Sequence, residues 1–233
     1  MANIYRVSIG QDDCPHTYIT MKFPDIQVFI MNSQGDGKFQ KSFSIIVSNK
    51  EKRIAEAIKA LETYPGLTCL NVLGIQDKIA SLTYKFPQTS AYSVVNTLGF
   101  RMHPVTVKNG VEKWFFVTSS SEVQNVVKQK LSDDKTKLIS FKRLSTDEFM
   151  ADYSRILGEF WSIQVMDKSG ISQNDLLKEA INSGYFSWPR KASLSELSAR
   201  LNIPRTTLSY RLRRLERNIF ESLNPENSDH DIF

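Results

Sequence analysis

Residues 192–223 read ASLSELSARLNIPRTTLSYRLRRLERNIFESL, and this stretch predicts two short helices joined by a tight turn. Ser193 can cap the first helix together with Glu196, because each side chain then satisfies an unpaired backbone amide of the first turn. Asn202 tolerates left-handed backbone angles, and Pro204 has a preset angle that suits the first turn of a second helix. Short amphipathic helices on either side of such a turn are typical of a helix-turn-helix.

Both helices have apolar residues at helical spacing, and these residues are expected to face the domain core. The apolar positions are Leu194, Leu197 and Leu201 in the first helix, and Leu208, Leu212, Leu215 and Ile219 in the second. The second helix then turns a polar face outward, where a recognition helix meets base edges in the major groove. The predicted base contacts are Arg205, Thr206, Ser209, Tyr210 and Arg213.

The same region concentrates the positive charge of the chain. Between residues 190 and 217 there are eight Arg or Lys and two Glu, and this surplus exceeds the net charge of +5 of the whole chain. A basic helix by itself is more often a solvated surface helix, but the capped first helix and the short turn favour a DNA reader. The predicted phosphate contacts are Arg190, Lys191, Arg211, Arg214 and Arg217.

The run GYFSWPRKASLSELSARLNIPRTTLSYRLRRLERNI, residues 184–219, resembles the C-terminal helix-turn-helix of archaeal regulators of the bacterio-opsin-activator type. The resemblance is carried by four patterns, which are Gly184-Tyr185-Phe186, Pro189-Arg190, Leu194-x-Glu196-Leu197 and Leu208-Ser209-x-Arg211-Leu212-Arg213-Arg214. It implies a sequence-specific DNA-binding transcription regulator that acts as a homodimer.

The chain departs from the family pattern at the turn. The family usually has Gly in the turn and Ser as the cap of the recognition helix, where this chain has Asn202 and Pro204. Losing a Ser cap costs about 1 kcal/mol of helix stability, which the fixed backbone angle of proline partly offsets. The expected fold is unchanged, whereas the pose of Arg205 and Thr206 is less closely defined.

The composition is that of an ordinary soluble protein with room for two domains. The chain has 233 residues, of which 41% are hydrophobic and 24% are charged. No apolar run approaches the roughly 20 residues that span a bilayer, and no signal sequence opens the chain. These features predict a cytoplasmic protein with no membrane partner. Cys14 and Cys69 are expected to be reduced thiols rather than a disulfide.

The N-terminal part predicts an α+β fold. Residues 4–9 and 26–31 have strand patterns separated by a polar loop over Gly10 to His16. From residue 39 onward the pattern predicts strand, helix, two strands, helix, two strands, helix and strand. This order is typical of helices on an antiparallel sheet, of the ferredoxin-like or ACT-like (amino-acid-sensing) type, and we expect two such units sharing an extended sheet. An all-α helix-turn-helix domain follows.

We expect four segments along the chain. Residues 1–145 form an α+β sensor or assembly region, and residues 146–166 form a connecting helix and linker, which either packs against a second subunit or is a plain linker. Residues 167–223 form the DNA-binding domain, and the polar, acidic residues 224–233 form a disordered tail. The first helix of the DNA-binding domain is predicted to have a core stripe of Leu176, Leu177, Ala180 and Ile181.

Few residues suggest catalysis or metal binding. Cys14 and His16 could offer a metal two ligands, but no second Cys/His pair lies at zinc spacing, so we expect structural roles and no metal. Its polar loop makes Cys14 a candidate sensing thiol. There is no phosphate-binding glycine loop, nucleophile elbow or supported carboxylate pair, so the sequence predicts neither an enzyme nor a cofactor.

The leading hypothesis is therefore a transcription regulator. Its expected partners are double-stranded DNA, a second copy of the chain on a two-fold site, and a small-molecule effector, the last by analogy with other regulators of this fold class. The alternative is a ligand-binding or catalytic α+β module whose basic C-terminal domain docks a protein partner. A pocket of converging titratable groups would favour that alternative.

Overall fold

The computed structural model describes residues 3–48, 50–76, 78–119, 123–132, 135–164 and 173–222. The chain divides into two compact units, Met1–Leu157 and Gly158–Phe233, and each unit is described by itself. The predicted tail 224–233 and the end of the predicted linker lie outside the described residues. Within them, no helix combines the length and the apolar character that crossing a membrane requires.

The N-terminal unit contains eight strands and five helices in its described part. In chain order these are β1 (Asn3–Gln11), α1 (Pro15–Lys22), β2 (Ile26–Gly35), β3 (Phe39–Ser48), α2 (Glu51–Glu62), β4 (Thr68–Gln76), β5 (Ile79–Pro87), α3 (Ser90–Leu98), β6 (Phe100–Lys108), β7 (Val111–Thr118), α4 (Val123–Lys130), β8 (Thr136–Leu144) and α5 (Thr146–Gln164), whose last residues extend past the boundary of the unit.

All eight strands form one antiparallel sheet in the order β4-β5-β3-β2-β6-β7-β1-β8. Asn109 and Gly110 both have positive φ angles, 51° and 73°, between β6 and β7, as expected for an Asn-Gly hairpin turn. This architecture confirms the predicted α+β class and its antiparallel sheet.

The strand order contains an exchange that the sequence did not predict. The elements repeat the order strand, helix, strand, strand, helix, strand, first from β1 to β4 and then from β5 to β8, as in two ferredoxin-like units. In such a unit the first strand lies between the third and the fourth. Here β5 lies between β3 and β4, and β1 lies between β7 and β8. Each half is completed by the first strand of the other.

Four helices cover one face of the sheet. Ile19 of α1, Ile54 of α2, Val95 of α3 and Val127 of α4 belong to one buried cluster, together with Trp114 and other inward strand residues. The cluster is continuous from one half of the sheet to the other, which favours a single cooperative core.

Helix α5 packs on the opposite face. Phe115 lies between Trp114 and Phe116 on β7, and because successive strand residues point to opposite faces, its ring points away from the main core. The ring centroid of Phe115 lies 5.2 Å from that of Phe149 and 6.0 Å from that of Tyr153, both on α5. The predicted connecting helix is thus anchored to the sheet over its first half.

One local prediction in this unit was wrong. The segment from Gly10 to His16 was expected to be a polar loop, but β1 continues to Gln11 and α1 begins at Pro15. Proline is favoured at the first position of a helix, because the missing N–H has no partner there. Cys14 and His16 are consequently drawn into the core rather than exposed in a loop.

The C-terminal unit contains α6 (Gln173–Asn182), α7 (Leu194–Leu201) and α8 (Arg205–Ser222) in its described part. Its core cluster consists of Leu176, Ala180, Leu197, Ile203, Leu208 and Leu212. The prediction of Ile181 as a core residue was wrong, because its side chain is 56% exposed. At about 100° per residue, Ile181 lies about 140° around α6 from Leu176, outside a stripe of ordinary width.

Candidate nucleic-acid interface

Both ends of α7, its capped start and the turn into α8, have the geometry that the sequence predicted. Ser193 and Glu196 form a capping box, in which the Glu196 N–H donates to Ser193 Oγ at 3.2 Å and the Ser193 N–H donates to Glu196 Oε2 at 2.6 Å. The hydrogen bonds of this box lower the pKa of the Glu196 carboxyl. Asn202 ends α7 in the left-handed region, with φ 52° and ψ 42°. Ser198 Oγ also donates to the Ile203 carbonyl at 2.6 Å and closes the turn.

Helix α8 buries the apolar face that its spacing predicted. Leu208, Leu212 and Leu215 are at most 2% exposed. The side chain of Ile219, which was expected on the same stripe, lies outside the described part of the chain. With that face against the core, the opposite side of the helix is presented to solvent.

The predicted base-contact residues lie together on this outward side. Tyr210 is 67% exposed, and Arg205, Thr206 and Arg213 are also exposed, whereas Ser209 is half-buried. A surface groove of about 570 Å³ is lined by Leu194 and by all of the predicted base contacts, Arg205, Thr206, Ser209, Tyr210 and Arg213. Guanidinium, hydroxyl and phenol groups on one helix face are able to hydrogen-bond to base edges.

The side chains of the predicted phosphate contacts differ in solvent exposure. Arg190, Lys191, Arg214 and Arg217 are exposed, but Arg211 is half-buried. Arg211 follows Leu208 by three residues and precedes Leu215 by four, so it lies beside the core face rather than opposite it. In the sequence these cations lie before and after the first turns of α8, as expected for residues that position a recognition helix on the DNA backbone. Their assignment to phosphates stays a prediction.

The segment between α6 and α7 presents an aromatic side chain that the sequence analysis did not single out. Trp188 is 98% exposed. The Gly184 carbonyl accepts hydrogen bonds from the N–H groups of Ser187 and Lys191 at 3.1 and 3.0 Å, which fold residues 184–191 into a closed loop. Arg190 stacks over the Tyr185 ring, with its guanidinium carbon 4.3 Å from the ring centroid. The sequence signal that could have identified it is a Trp followed closely by the basic pair Arg190-Lys191.

The remaining predicted site residue, Cys14, lies in a buried polar group of the N-terminal unit, which we call the Cys14 cluster and define as Cys14, His16 and Glu112. Cys14 Sγ donates to Glu112 Oε1 at 3.0 Å and lies 3.2 Å from His16 Nδ1. His16 Nε2 lies 3.2 Å from Ser44 Oγ and 3.3 Å from Ser42 Oγ. The role of Cys14 as a sensing thiol stays a prediction, without the exposed setting that suggested it.

Burial favours the neutral form of each member of the Cys14 cluster. It raises the pKa of the Cys14 thiol well above its usual value, and the neighbouring Glu112 carboxylate raises it further. Burial also lowers the pKa of His16 to about 3, with a smaller contribution from the charge of Arg101. The pKa of Glu112 is raised by burial, although the Arg101 charge opposes this shift.

Glu112 lies 98 residues from Cys14, so no local sequence pattern joins the two residues. A signal for it was present, since Glu112 alternates in phase with Trp114 and Phe116 on β7 and therefore had to point into the core. Glu112 Oε2 is buried without a hydrogen-bond partner. The same holds for Nε and Nη2 of Arg101, whose charge acts on both Glu112 and His16.

Two family models match the chain. Residues 4–136 match HVO_2525_N, described as an N-terminal domain. Residues 172–221 match HTH_10, described as an HTH DNA binding domain, which agrees with the resemblance to the bacterio-opsin-activator type. No curated protein matches the chain. The C-terminal match includes α6, α7, all of α8 except its last residue, and every predicted base contact.

Proposed function

The chain belongs to the HVO_2525_N family through residues 4–136, and from this membership together with its helix-turn-helix we propose that it is a sequence-specific transcription regulator whose N-terminal region binds an effector. The observation that carries the proposal is the groove on α8, where five polar side chains converge in a domain of a DNA-binding family. The function is regulatory rather than catalytic.

In this proposal, α8 enters the major groove with its first three turns. Arg205 and Arg213 can hydrogen-bond to guanine O6 and N7, while Thr206, Ser209 and Tyr210 contact neighbouring bases. The exposed cations around this face fix the register of the helix by binding phosphates. The division of roles predicts that base contacts change specificity, whereas phosphate contacts change affinity for every duplex and its dependence on salt.

One recognition helix buries little surface, so we propose that the chain binds a two-fold site as a homodimer. The edge strand β4 offers a surface for a second copy. Its sequence TCLNVLGIQ has no charged residue, and Leu73 and Ile75 are 60% and 57% exposed. The other edge strand, β8, carries Lys137, Lys142 and Arg143, which discourage edge pairing. An antiparallel pair of β4 strands has two-fold symmetry, as a closed dimer requires.

The dimer surface is tested by the oligomeric state. Ile75→Lys should turn the dimer into a monomer in sedimentation velocity at micromolar concentration, because the new charge would be placed on the uncharged edge. Ile139→Lys is the matched control, since Ile139 is an exposed residue of the opposite edge strand. A wild-type monomer, or a dimer that survives Ile75→Lys, would exclude β4 as the interface.

The proposed effector site is a hollow of about 400 Å³ on the N-terminal unit. This volume falls within the usual range for small-ligand sites. Lys41 provides positive charge, Phe43 provides an apolar surface, and Asn71 provides hydrogen-bonding groups. Lys85 also lines the hollow, where its Nζ pairs with Asp36 at 3.7 Å. The hollow therefore suits a small anionic molecule with an apolar part.

The alternative of a catalytic module receives one supporting observation, the converging groups of the Cys14 cluster. Cys14, His16 and Glu112 are each at most 2% exposed. A substrate would have to open the core to reach them, so the cluster does not form the open pocket that catalysis requires.

Fluorescence anisotropy across a salt series tests DNA binding. The two probes are a duplex from the promoter of the gene that encodes this chain and a scrambled duplex of equal length. Five phosphate contacts in each of two chains predict a slope of log K against log salt of about −9. Arg217→Ala removes two contacts per dimer and should reduce the slope by about 1.8. Tyr210→Ala should abolish the preference for the promoter duplex.

Lys137→Ala is the control for Arg217→Ala, because Lys137 is an exposed cation on β8 outside the helix-turn-helix. It should leave the salt slope unchanged. The proposal fails if the wild type binds neither duplex at low salt. It also fails in its assignment of roles if Tyr210→Ala weakens binding to both duplexes equally.

A further inference from the structure

We propose that Cys14, His16 and Glu112 form a binding site for a divalent transition-metal ion of the zinc class. The site lies in the N-terminal unit, apart from the helix-turn-helix. The proposal goes beyond the proposed function and does not depend on DNA binding.

The three side chains offer ligand atoms at suitable distances. Cys14 Sγ lies 3.2 Å from His16 Nδ1 and 3.0 Å from Glu112 Oε1, and all three atoms lie within 4.8 Å of one another. In a tetrahedral zinc site, bond lengths of about 2.3 Å to sulfur and 2.0 Å to nitrogen place these two ligand atoms about 3.5 Å apart. The Cys14–His16 contact of 3.2 Å therefore needs to lengthen by only about 0.3 Å to suit the ion.

The hydrogen bonds around His16 suit a metal ligand. When Nε2–H donates to Ser44 Oγ, 3.2 Å away, the neutral ring keeps an unprotonated Nδ1 facing the sulfur of Cys14. Ser44 Oγ accepts in turn from Tyr84 OH at 3.1 Å, which fixes the hydroxyl group. Metal-binding histidines are commonly oriented by such a partner at the second ring nitrogen.

A bound metal ion lowers the pKa of a thiol that coordinates it, so Cys14 would bind the ion as a thiolate. When the ion binds, the thiol proton leaves to solvent and the S–metal bond replaces the hydrogen bond from Cys14 to Glu112.

The charges of the groups in and around the site balance when the ion is bound. The thiolate of Cys14 and the carboxylates of Glu112 and Asp13 supply three negative charges, and Asp13 acts electrostatically on Glu112. The ion and the guanidinium of Arg101 supply three positive charges. Arg101 alone would disfavour a cation, but the complete set is neutral, which reduces the cost of burial.

A further ligand atom is available beside these three. Glu112 Oε2 is buried and has no hydrogen-bond partner, so the carboxylate can bind the ion through both oxygens or accept from a metal-bound water. The ion would connect the start of α1 to β7, two elements that are far apart in the chain. Thiolate, imidazole and carboxylate together favour Zn²⁺ over Mg²⁺ or Ca²⁺, which prefer oxygen ligands.

Cobalt spectroscopy of the full chain tests the site. The chain has two cysteines, and Cys69 is exposed on β4, so in the variant Cys69→Ser only Cys14 can supply a thiolate. This variant, stripped with a chelator and titrated with Co²⁺, should develop a sulfur-to-cobalt charge-transfer band that saturates at one ion per chain. Zn²⁺ should then abolish the band by displacement. Absence of the band would overturn the proposal.

A ligand variant provides the second test. Glu112→Gln, in the Cys69→Ser background, keeps the side-chain shape but removes the negative charge, and should weaken Zn²⁺ binding at least about tenfold in competition with a chromophoric chelator. Glu148→Gln, at an exposed carboxylate of α5, should not change the affinity. Unchanged affinity in a folded Glu112→Gln chain would exclude Glu112 as a ligand. If Glu112→Gln fails to fold, the cobalt band, which needs no cluster variant, decides the proposal.

Discussion

Replacing Leu208 with Ala should selectively destabilise the C-terminal unit. The Leu208 side chain is fully buried and belongs to a cluster with Leu176 of α6 and Leu197 of α7. A Leu→Ala change in a core costs about 2–5 kcal/mol, because it loses transfer free energy and leaves a cavity. The half-buried Leu194 and Leu201 at the border of this small cluster can partly fill the cavity. We therefore expect Leu208→Ala to lower the free energy of unfolding of the C-terminal unit by about 3 kcal/mol.

Differential scanning calorimetry of the full chain measures this effect. A domain of this size loses about 4–8 °C in Tm for each kcal/mol, so the transition of the C-terminal unit should fall by roughly 12–24 °C. The transition of the N-terminal unit should not move, because Leu208 is outside its core. Thr207→Ala is the matched control, since Thr207 is an exposed neighbour on the same helix. Its effect should stay within about 0.5 kcal/mol.

Two results would refute this reasoning. A shift for Leu208→Ala no larger than that for Thr207→Ala would mean that the core of the C-terminal unit is not packed as described. A single transition that falls as a whole would mean that the two units unfold as one. In either case the helix-turn-helix could not be treated as a separately folding reader.

Three further predictions concern a helix cap, a surface carboxylate and an exposed aromatic side chain. Ser193→Ala should cost about 1 kcal/mol in the C-terminal transition, because it removes the oxygen that accepts from the Glu196 N–H; a double-mutant cycle with Glu196→Ala should show coupling. Hydrogen bonds, led by that from Lys142, lower the pKa of Glu148 to about 2 from its usual 4.5. Because the pKa is lower in the folded state, the stabilisation is complete above pH 4.5 and is lost as the pH falls towards 2. Urea unfolding at a series of pH values measures this loss, and Glu148→Gln should lose less stability than the wild type over the same interval. Trp188→Ala should weaken anisotropy-measured binding of both duplexes by about tenfold, because an exposed apolar ring can wedge against the base steps of a duplex. Trp188→Phe should stay close to the wild type, and unchanged affinity of Trp188→Ala would exclude that contact.

The parts of the reader that the sequence predicted depend on neighbours a few residues apart. Ser193 and Glu196 form the capping box, Asn202 adopts the left-handed conformation, and Leu208 and Leu212 face the core. Each follows from the geometry of one helix turn, which is the same in any protein. The convergence of the predicted base contacts in one groove likewise follows from their positions on a single helix.

The sheet and the Cys14 cluster depend on contacts that no local pattern contains. Strand positions and the α+β class could be predicted from alternation and turns, but the exchange of β1 and β5 is a choice of partner, and several antiparallel partners satisfy the same hydrophobic pattern. Sequence therefore determined the helix-turn-helix, its charge and its outward face, because these rest on local geometry. Only the tertiary structure decided that Glu112 meets Cys14 and His16, because packing of the sheet against α1 brings together side chains that are distant in the chain.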